Sequence, residues 1–178
     1  MTAIANGPAT SIHASAVRIG DLGILIRGPS GAGKSRLAFD LILAGRAGQL
    51  PPTVLVGDDR VYLANRGGHL TVRPAPNLAG LIEVRGLGIR RCDHVPEATV
   101  SLIVDLGAAD GARLPEPESL TTTLFGVVLR RIPVLSGFSA LPLIAADVLT
   151  TSGYSKGDIS DDCRKEIRNH ISPTIATK

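Results

Sequence analysis

Residues 28–35 of the chain are Gly28-Pro29-Ser30-Gly31-Ala32-Gly33-Lys34-Ser35, and they fit the P-loop pattern Gly-x-x-x-x-Gly-Lys-Ser at every specified position. The inner glycines, Gly31 and Gly33, let the backbone approach a ligand closely. Successive backbone N–H groups can then form an anion-binding nest. Lys34 can reach the outer phosphates as a mobile charge, and the Ser35 hydroxyl is a suitable Mg²⁺ ligand. The motif therefore predicts a binding site for a nucleoside triphosphate.

The sequence on both sides of this motif is the context that a P-loop requires. Gly23 to Arg27 is a short apolar strand, and from Ser35 to Ala44 the apolar residues recur at helical spacing. A glycine-rich loop that only joins a strand to a helix is the competing interpretation. The strand before and the helix after favour the P-loop.

The rest of the chain alternates strands, turns and a few helices, which predicts an α/β fold. Besides the P-loop elements, we expect strands at Ser11–Ile19, Val54–Val56, Val61–Leu63, His69–Val72, Leu81–Arg85, Val100–Leu106 and Leu124–Leu129, and helices at Ala140–Leu149 and Asp161–His170. No repeat or clear linker interrupts this pattern. We therefore expect one domain over residues 1–178, with a core at about 11–150 and a tail at 151–178 that is helical or partly flexible.

Composition narrows the functional classes. The chain has 178 residues, of which 44% are hydrophobic, and its net charge is +3. No apolar run approaches the roughly 20 residues that span a bilayer, and no secretory signal is evident. Cys92 and Cys163 are expected to be reduced thiols. We predict a cytoplasmic protein without a membrane partner. The scattered arginines and few aromatics disfavour nucleic acid.

Several carboxylates follow apolar strands and are candidates for phosphoryl chemistry. Asp58 and Asp59 follow Val54–Val56, so one could orient Mg²⁺ and the other could accept a proton. A turn pair is the alternative. Asp105, after another strand, competes for the metal-side role, and Glu83 is a third candidate, although its spacing to Arg85 also suits a surface ion pair. The four histidines have no metal-ligand spacing.

Three stretches resemble the catalytic domain of the HPr kinase/phosphorylase family. They are His13 with the segment Gly23–Ser35, the segment Leu55-Val56-Gly57-Asp58-Asp59-Arg60-Val61, and the segment Gly80-Leu81-Ile82-Glu83-Val84-Arg85-Gly86-Leu87-Gly88-Ile89. The third is the most specific. The resemblance implies a P-loop fold related to phosphoenolpyruvate carboxykinase, with a mixed sheet and flanking helices. It also implies hexameric assembly.

The resemblance also implies roles for individual residues. Gly28 to Ser35 would bind ATP, with Lys34 on the outer phosphates, and Ser35 and Glu83 would hold Mg²⁺. Asp59, next to Asp58, would deprotonate the target serine of the phosphocarrier protein HPr and would act as the acid in the reverse, phosphate-dependent removal. His13 corresponds to an active-site histidine. Arg60 and Arg85 are candidate contacts to phosphate or partner. The implied activity regulates the bacterial phosphotransferase system.

Two departures from the family are visible. The usual member has an additional N-terminal domain, so the resemblance implies a short form with the catalytic domain alone. The family also has an arginine-rich loop that is tied to dephosphorylation, where this chain has Leu135-Ser136-Gly137-Phe138. Arg130 or Arg131 is a candidate replacement. A P-loop kinase or hydrolase of small molecules and a nucleotide-responsive regulatory module are the alternative functions.

Overall fold

The computed structural model describes residues 9–150, and these residues form eleven strands, two α-helices and two short 3-10 helices. The elements are β1 Thr10–Ile12, β2 Ser15–Ile19, β3 Leu22–Arg27, α1 Lys34–Arg46, β4 Thr53–Gly57, β5 Val61–Arg66, β6 His69–Pro74, β7 Leu81–Val84, β8 Gly88–Arg91, β9 Ala98–Leu106, β10 Thr121–Leu124, β11 Val127–Val134 and α2 Leu141–Leu149. The chain divides into two compact units, Met1–Val148 and Leu149–Lys178. The predicted helix at 161–170 lies outside the described residues, and the single domain over residues 1–178 stays a prediction.

Strand β9 is the centre of the main sheet. Its first residues pair antiparallel with β6, and its second half pairs parallel with β3 on one side and β11 on the other. Beyond β3 the sheet continues through β2 to β4, and beyond β6 it continues through β5 to β1. The sheet is thus mixed, as expected, and the α/β fold class is confirmed.

The two faces of the sheet carry separate hydrophobic clusters. Because successive side chains of a strand point to opposite faces, Ile24 and Ile26 of β3 join the cluster under α1, whereas Leu25 joins the cluster on the other face. Leu41 of α1 is fully buried against the first cluster. Packing on both faces therefore fixes β3, whose last residue directly precedes the P-loop.

Two strand predictions need correction. The strand expected over Ser11–Ile19 is interrupted at His13, so that β1 pairs with β5 while β2 pairs with β3 and β4. The single strand expected over Leu124–Leu129 is wrong, because Phe125 and Gly126 take positive φ values of 51° and 76° and form the turn between β10 and β11. Strand β8, which pairs with β7, was missed.

The other predicted elements are present with small shifts of their ends. The hairpins β2–β3 and β5–β6, helix α1 and helix α2 all form where the sequence pattern indicated. No helix among residues 9–150 has the length and apolar character needed to cross a membrane.

Helix α1 provides a matched test of the core. Leu41 is fully buried whereas Leu43, on the same helix, is 46% exposed. Leu41→Ala should lower the free energy of unfolding by about 2–5 kcal/mol, because it leaves a cavity under the sheet. Leu43→Ala should cost less than about 1 kcal/mol, since little buried surface is lost. Urea unfolding of both variants checks this, and equal losses would contradict the packing described.

Candidate functional site

The P-loop backbone has the conformation that its glycines predict. Gly28, Gly31 and Gly33 have φ values of 148°, 78° and 93°, which residues with a Cβ rarely adopt. A Cβ on Gly31 or Gly33 would meet no atom within 4 Å, so the space above the loop is open. These two glycines are required by the backbone conformation and leave room for a ligand.

The first turn of α1 is suited to an anion. The helix begins at Lys34, its N-cap is Gly33 without a side-chain cap, and its first turn has no acidic residue. The N–H groups of that turn have no partner within the helix, and the helix dipole adds positive potential there. Helix N-termini with this arrangement are common phosphate-binding sites.

The Lys34 ammonium group is held at the loop. Its side chain is 95% buried (5% exposed), and Nζ donates hydrogen bonds to the carbonyl oxygens of Gly28 and Pro29, both at 3.0 Å. Neither acceptor is a carboxylate, so neither would compete as an anion with a ligand at this position. Its contact with the phosphates of a nucleotide stays a prediction.

The strand arrangement brings the two acidic candidates of Asp58-Asp59 to the same edge as the P-loop. Strands β3 and β4 both pair antiparallel with β2, where Ser15 lies opposite Ile26 and Ala16 lies opposite Gly57. The carboxyl ends of β3 and β4 therefore meet at the start of β2. Since neighbouring strands are about 4.8 Å apart, the P-loop and the Asp58-Asp59 pair begin two strand spacings apart.

Asp58 is a buried anchor. It is 2% exposed, and its Oδ1 accepts a hydrogen bond of 2.5 Å from the Ser15 hydroxyl. Its Oδ2 accepts a bond of 3.0 Å from the backbone N–H of Glu83. The carboxylate thus joins the start of β2, the end of β4 and strand β7. This arrangement favours a positioning role for Asp58 over contact with substrate.

Asp59 is at the apex of a strained turn. The N–H of Arg60 bonds to the carbonyl of Asp58 at 2.7 Å, and Asp59 between them has φ of 63°. A three-residue turn with positive φ at its centre is the rarer and more strained form. The turn exposes 69% of the Asp59 side chain, and its Oδ1 is 3.5 Å from Nε2 of His13. Strain of this kind is typical of functional residues.

The third motif forms the hairpin β7–β8, in which Glu83 and Arg85 are both exposed. Ser35, half-buried in the first turn of α1, and Glu83 both offer oxygen atoms, which Mg²⁺ prefers. Among residues 9–150, no group of three or more His, Cys, Asp or Glu side chains is placed to hold a metal ion. A Mg²⁺ site here would thus need phosphate oxygens as further ligands, which is usual for this ion.

Of the two arginines proposed as contacts, Arg60 is exposed and its Nη1 donates to the Ser11 hydroxyl at 3.4 Å. Arg85 is exposed on the same hairpin as Glu83. Both guanidinium groups are near the surface. Their contact with phosphate or a partner stays a prediction.

Asp105 lies between two arginines, a network that the sequence did not indicate. Arg27 donates to both carboxylate oxygens at 2.7 Å, and Nε of Arg131 donates to Oδ2 at 2.6 Å. Partial burial raises the pKa of Asp105, but the hydrogen bonds from Arg27 and Arg131 outweigh it, so its pKa is below the ordinary value. A carboxylate between two cations is poorly placed to hold a metal ion, which argues against Asp105 as the metal-side carboxylate.

Neither candidate replacement for the missing loop arginines is free. The Arg131 guanidinium also donates to Asp110 and to the carbonyl of Ser119, and the bonds to Asp110 and then Asp105 raise the pKa of Arg131. Arg130 donates to Asp147 at 2.8 Å. Both arginines are thus engaged in ion pairs within the described part of the chain, and their role as replacements stays a prediction.

A cleft of about 360 Å³ lies between the P-loop and the segment Val134–Phe138. Residues Pro29–Ala32 form one wall, and residues 134–138 form the other, here called the distal wall. Phe138 on this wall is 71% exposed. The cleft therefore has phosphate-binding character on one side and apolar character on the other.

A known protein family matches most of the chain. The model of the HPr Serine kinase C-terminal domain matches residues 5–157. An HPr kinase/phosphorylase of Mycoplasma mycoides subsp. mycoides SC is 40% identical over 157 residues, which cover 79% of this chain and 47% of that protein. An HPr kinase/phosphorylase of Neisseria meningitidis serogroup C is 32% identical over 173 residues, and the alignment covers 89% of this chain and 51% of that protein. The chain spans about half the length of the curated relatives that it matches.

A solved structure shows the same fold. The HPr(Ser) kinase/phosphatase from Coxiella burnetii superimposes with a TM-score of 0.62 at 22% sequence identity. The alignment covers 89% of this chain and 99% of that chain.

The two adjacent aspartates should respond differently to the same substitution. Asp58→Asn should lower the free energy of unfolding by about 1–3 kcal/mol. The Asn side chain has one acceptor oxygen, so it cannot accept hydrogen bonds from both the Ser15 hydroxyl and the Glu83 N–H. Asp59→Asn should change it by less than about 0.5 kcal/mol, because the side chain is exposed and Asn tolerates positive φ. Urea unfolding decides; a larger loss for Asp59→Asn would contradict the assignment.

The Asp105 network should make stability depend on pH. A carboxyl group whose folded pKa is lowered stabilises the fold above its unfolded pKa of about 3.9, and this contribution is lost as pH falls through the folded pKa. Asp105→Asn should cost on the order of 2 kcal/mol at neutral pH, and the difference from wild type should shrink as pH falls below about 4.

Unfolding measured at pH values on both sides of this window checks the Asp105 prediction. Asp93→Asn is the control, because the Asp93 side chain is 94% exposed and its partner Arg46 is 3.7 Å away. A difference between wild type and Asp105→Asn that stays constant with pH would rule out the network as its source.

Proposed function

We propose that this chain, which belongs to the HPr serine kinase C-terminal domain family, transfers the γ-phosphoryl group of ATP to a serine of the protein HPr. One observation carries the proposal: strands β3 and β4 deliver the P-loop and the strained, exposed Asp59 to the same edge of the sheet. A phosphate-binding loop and a carboxylate base are the two parts that phosphoryl transfer to a hydroxyl requires.

We assign each of these side chains one role in the transfer. The P-loop amides and Lys34 bind the outer phosphates and stabilise the charge that spreads over them during transfer. Asp59 accepts the proton of the serine hydroxyl as the serine oxygen bonds to the γ-phosphorus. The bond from that phosphorus to the oxygen that bridges it to the β-phosphate breaks, and ADP leaves. His13, at 3.5 Å from Asp59, orients the carboxylate.

Mg²⁺ would be held by the Ser35 hydroxyl and the Glu83 carboxylate together with phosphate oxygens. When bound, this ion supplies positive charge that offsets the charge of the transferred group. Asp58 serves this arrangement indirectly, since its Oδ2 fixes the backbone N–H of Glu83.

The proposal extends to the location, the regulatory role and the assembly of the protein. We assign the protein to the cytoplasm, to the regulation of the bacterial phosphotransferase system and to a homo-oligomer, a hexamer by resemblance to the family. We propose that phosphorylation, and not phosphate-dependent removal, is its main direction. The absence of arginine from Leu135–Phe138 and the ion-paired state of Arg130 and Arg131 support this choice.

Two variants separate binding from transfer. Lys34→Ala should reduce transfer from labelled ATP to HPr by at least about a hundredfold, because a preorganised charge on the phosphates is lost. Asp59→Asn should bind a fluorescent ATP analogue as wild type does, yet lose about 10²–10⁴-fold in transfer, since the amide accepts no proton. Arg36→Ala, whose side chain is 86% exposed on the same helix as Lys34, is the control.

The final location of the labelled γ-phosphoryl group also distinguishes the kinase from a hydrolase and from a regulatory module. Phosphoserine in HPr supports the proposal, and full transfer by Asp59→Asn would exclude Asp59 as the base. Free labelled phosphate without labelled HPr would indicate a hydrolase. Binding of ATP with no turnover at all would indicate a regulatory module.

A further inference from the structure

Three parallel strands of the main sheet, β3, β9 and β11, end side by side. Asp105 on the central strand β9 lies in register with Arg27 of β3 and with Pro133 of β11. The Asp105 carboxylate accepts two hydrogen bonds from Arg27 and one from Arg131. Its side chain is 15% exposed, and that of Arg131 is 14% exposed. One carboxylate thus connects the ends of three strands.

Each outer strand continues into one wall of the cleft. Gly28 and the P-loop wall follow Arg27 directly, and the distal wall follows Arg131 by three residues. Leu106 and Gly107, which follow Asp105, line the cleft between the two walls. Each wall therefore begins close to an arginine that is hydrogen-bonded to Asp105 of β9, and this bond fixes the start of the wall relative to β9.

Arg131 also binds the connection that follows β9. It donates to both oxygens of Asp110 and to the carbonyl of Ser119, while the N–H of Ala108 donates to the carbonyl of Val134 at 2.9 Å. The planar guanidinium group makes these bonds in fixed directions. Arg131, three residues before the distal wall, is thus fixed by hydrogen bonds to three residues: Asp105, Asp110 and Ser119.

We propose that Asp105 is a positioning residue, which holds the P-loop through Arg27 and the distal wall through Arg131. The first half concerns nucleotide binding alone. The second half rests on the proposed function, because the distal wall then positions the acceptor segment beside the γ-phosphate. Misplacement of reacting groups by about 1 Å is enough to slow a reaction about a hundredfold, so loosening this wall reduces the rate without weakening the binding of ATP.

The test compares three arginines in one assay. Arg27→Ala is expected to raise the Kd of a fluorescent ATP analogue at least about tenfold, whereas Arg131→Ala is expected to leave this Kd within about threefold and to lower kcat for HPr at least about tenfold. Arg131→Lys should recover part of kcat, because one donor to Asp105 remains. Arg130→Ala, which removes the contact with Asp147, is the matched control.

A merely structural role would give a different pattern. Tm is measured for every variant, and the assays are run well below the lowest value. If Arg27→Ala and Arg131→Ala lower only Tm, with Kd and kcat equal to those of Arg130→Ala, the proposal is wrong. It is also wrong if Arg131→Ala weakens nucleotide binding as much as Arg27→Ala does.

A fluorescence readout keeps the second half testable without HPr. The chain has no Trp, so Phe138→Trp places a single reporter on the distal wall, at a side chain that is 71% exposed. In this background Arg131→Ala should lower the fluorescence anisotropy of the reporter, and Arg130→Ala should not. If anisotropy falls while wild type transfers nothing to HPr, the proposed function fails and the positioning role stands; unchanged anisotropy overturns the positioning role.

Discussion

The buried carboxylate of Asp58 is the interaction on which the acceptor side of this molecule depends. Its two oxygens accept from the Ser15 hydroxyl and from the backbone N–H of Glu83, and only 2% of the residue is exposed. A buried polar group is stable only when it is hydrogen-bonded. The start of β2, the end of β4 and strand β7 therefore have fixed relative positions, and His13, Asp59 and Glu83 are carried on these three segments.

Asp58 and Asp59 thus have separate tasks: the buried Asp58 orders the backbone, and the exposed Asp59 is available to a substrate. Asp58 points inward and orders the backbone, while the turn that follows forces Asp59 outward with φ of 63°. The phosphate side is built separately, from glycine conformations, the N-terminus of α1 and the network around Asp105. Strand β2, which lies between β3 and β4, joins the two sides.

The sequence predicted those parts of the site whose structure depends on residues close together in the chain. The P-loop is recognisable because glycine and lysine spacing is itself the physical requirement, and α1 and β3 follow from apolar periodicity. The role of Asp58 depends on partners 43 and 25 residues away, and that of Asp105 on partners 78 and 26 residues away. Periodicity carries no information about such contacts. The error at Phe125 and Gly126 has a local cause: a phenylalanine occupies the turn, so the apolar run continues across it.

Whether Lys34 and Asp59 serve one transfer to a serine is measured by ³¹P NMR of ATP and Mg²⁺ with this chain and HPr. We expect an ADP signal and a phosphoserine signal to rise in equal amounts, and neither to rise with Asp59→Asn. Inorganic phosphate in place of phosphoserine, or equal turnover by Asp59→Asn, would contradict this expectation.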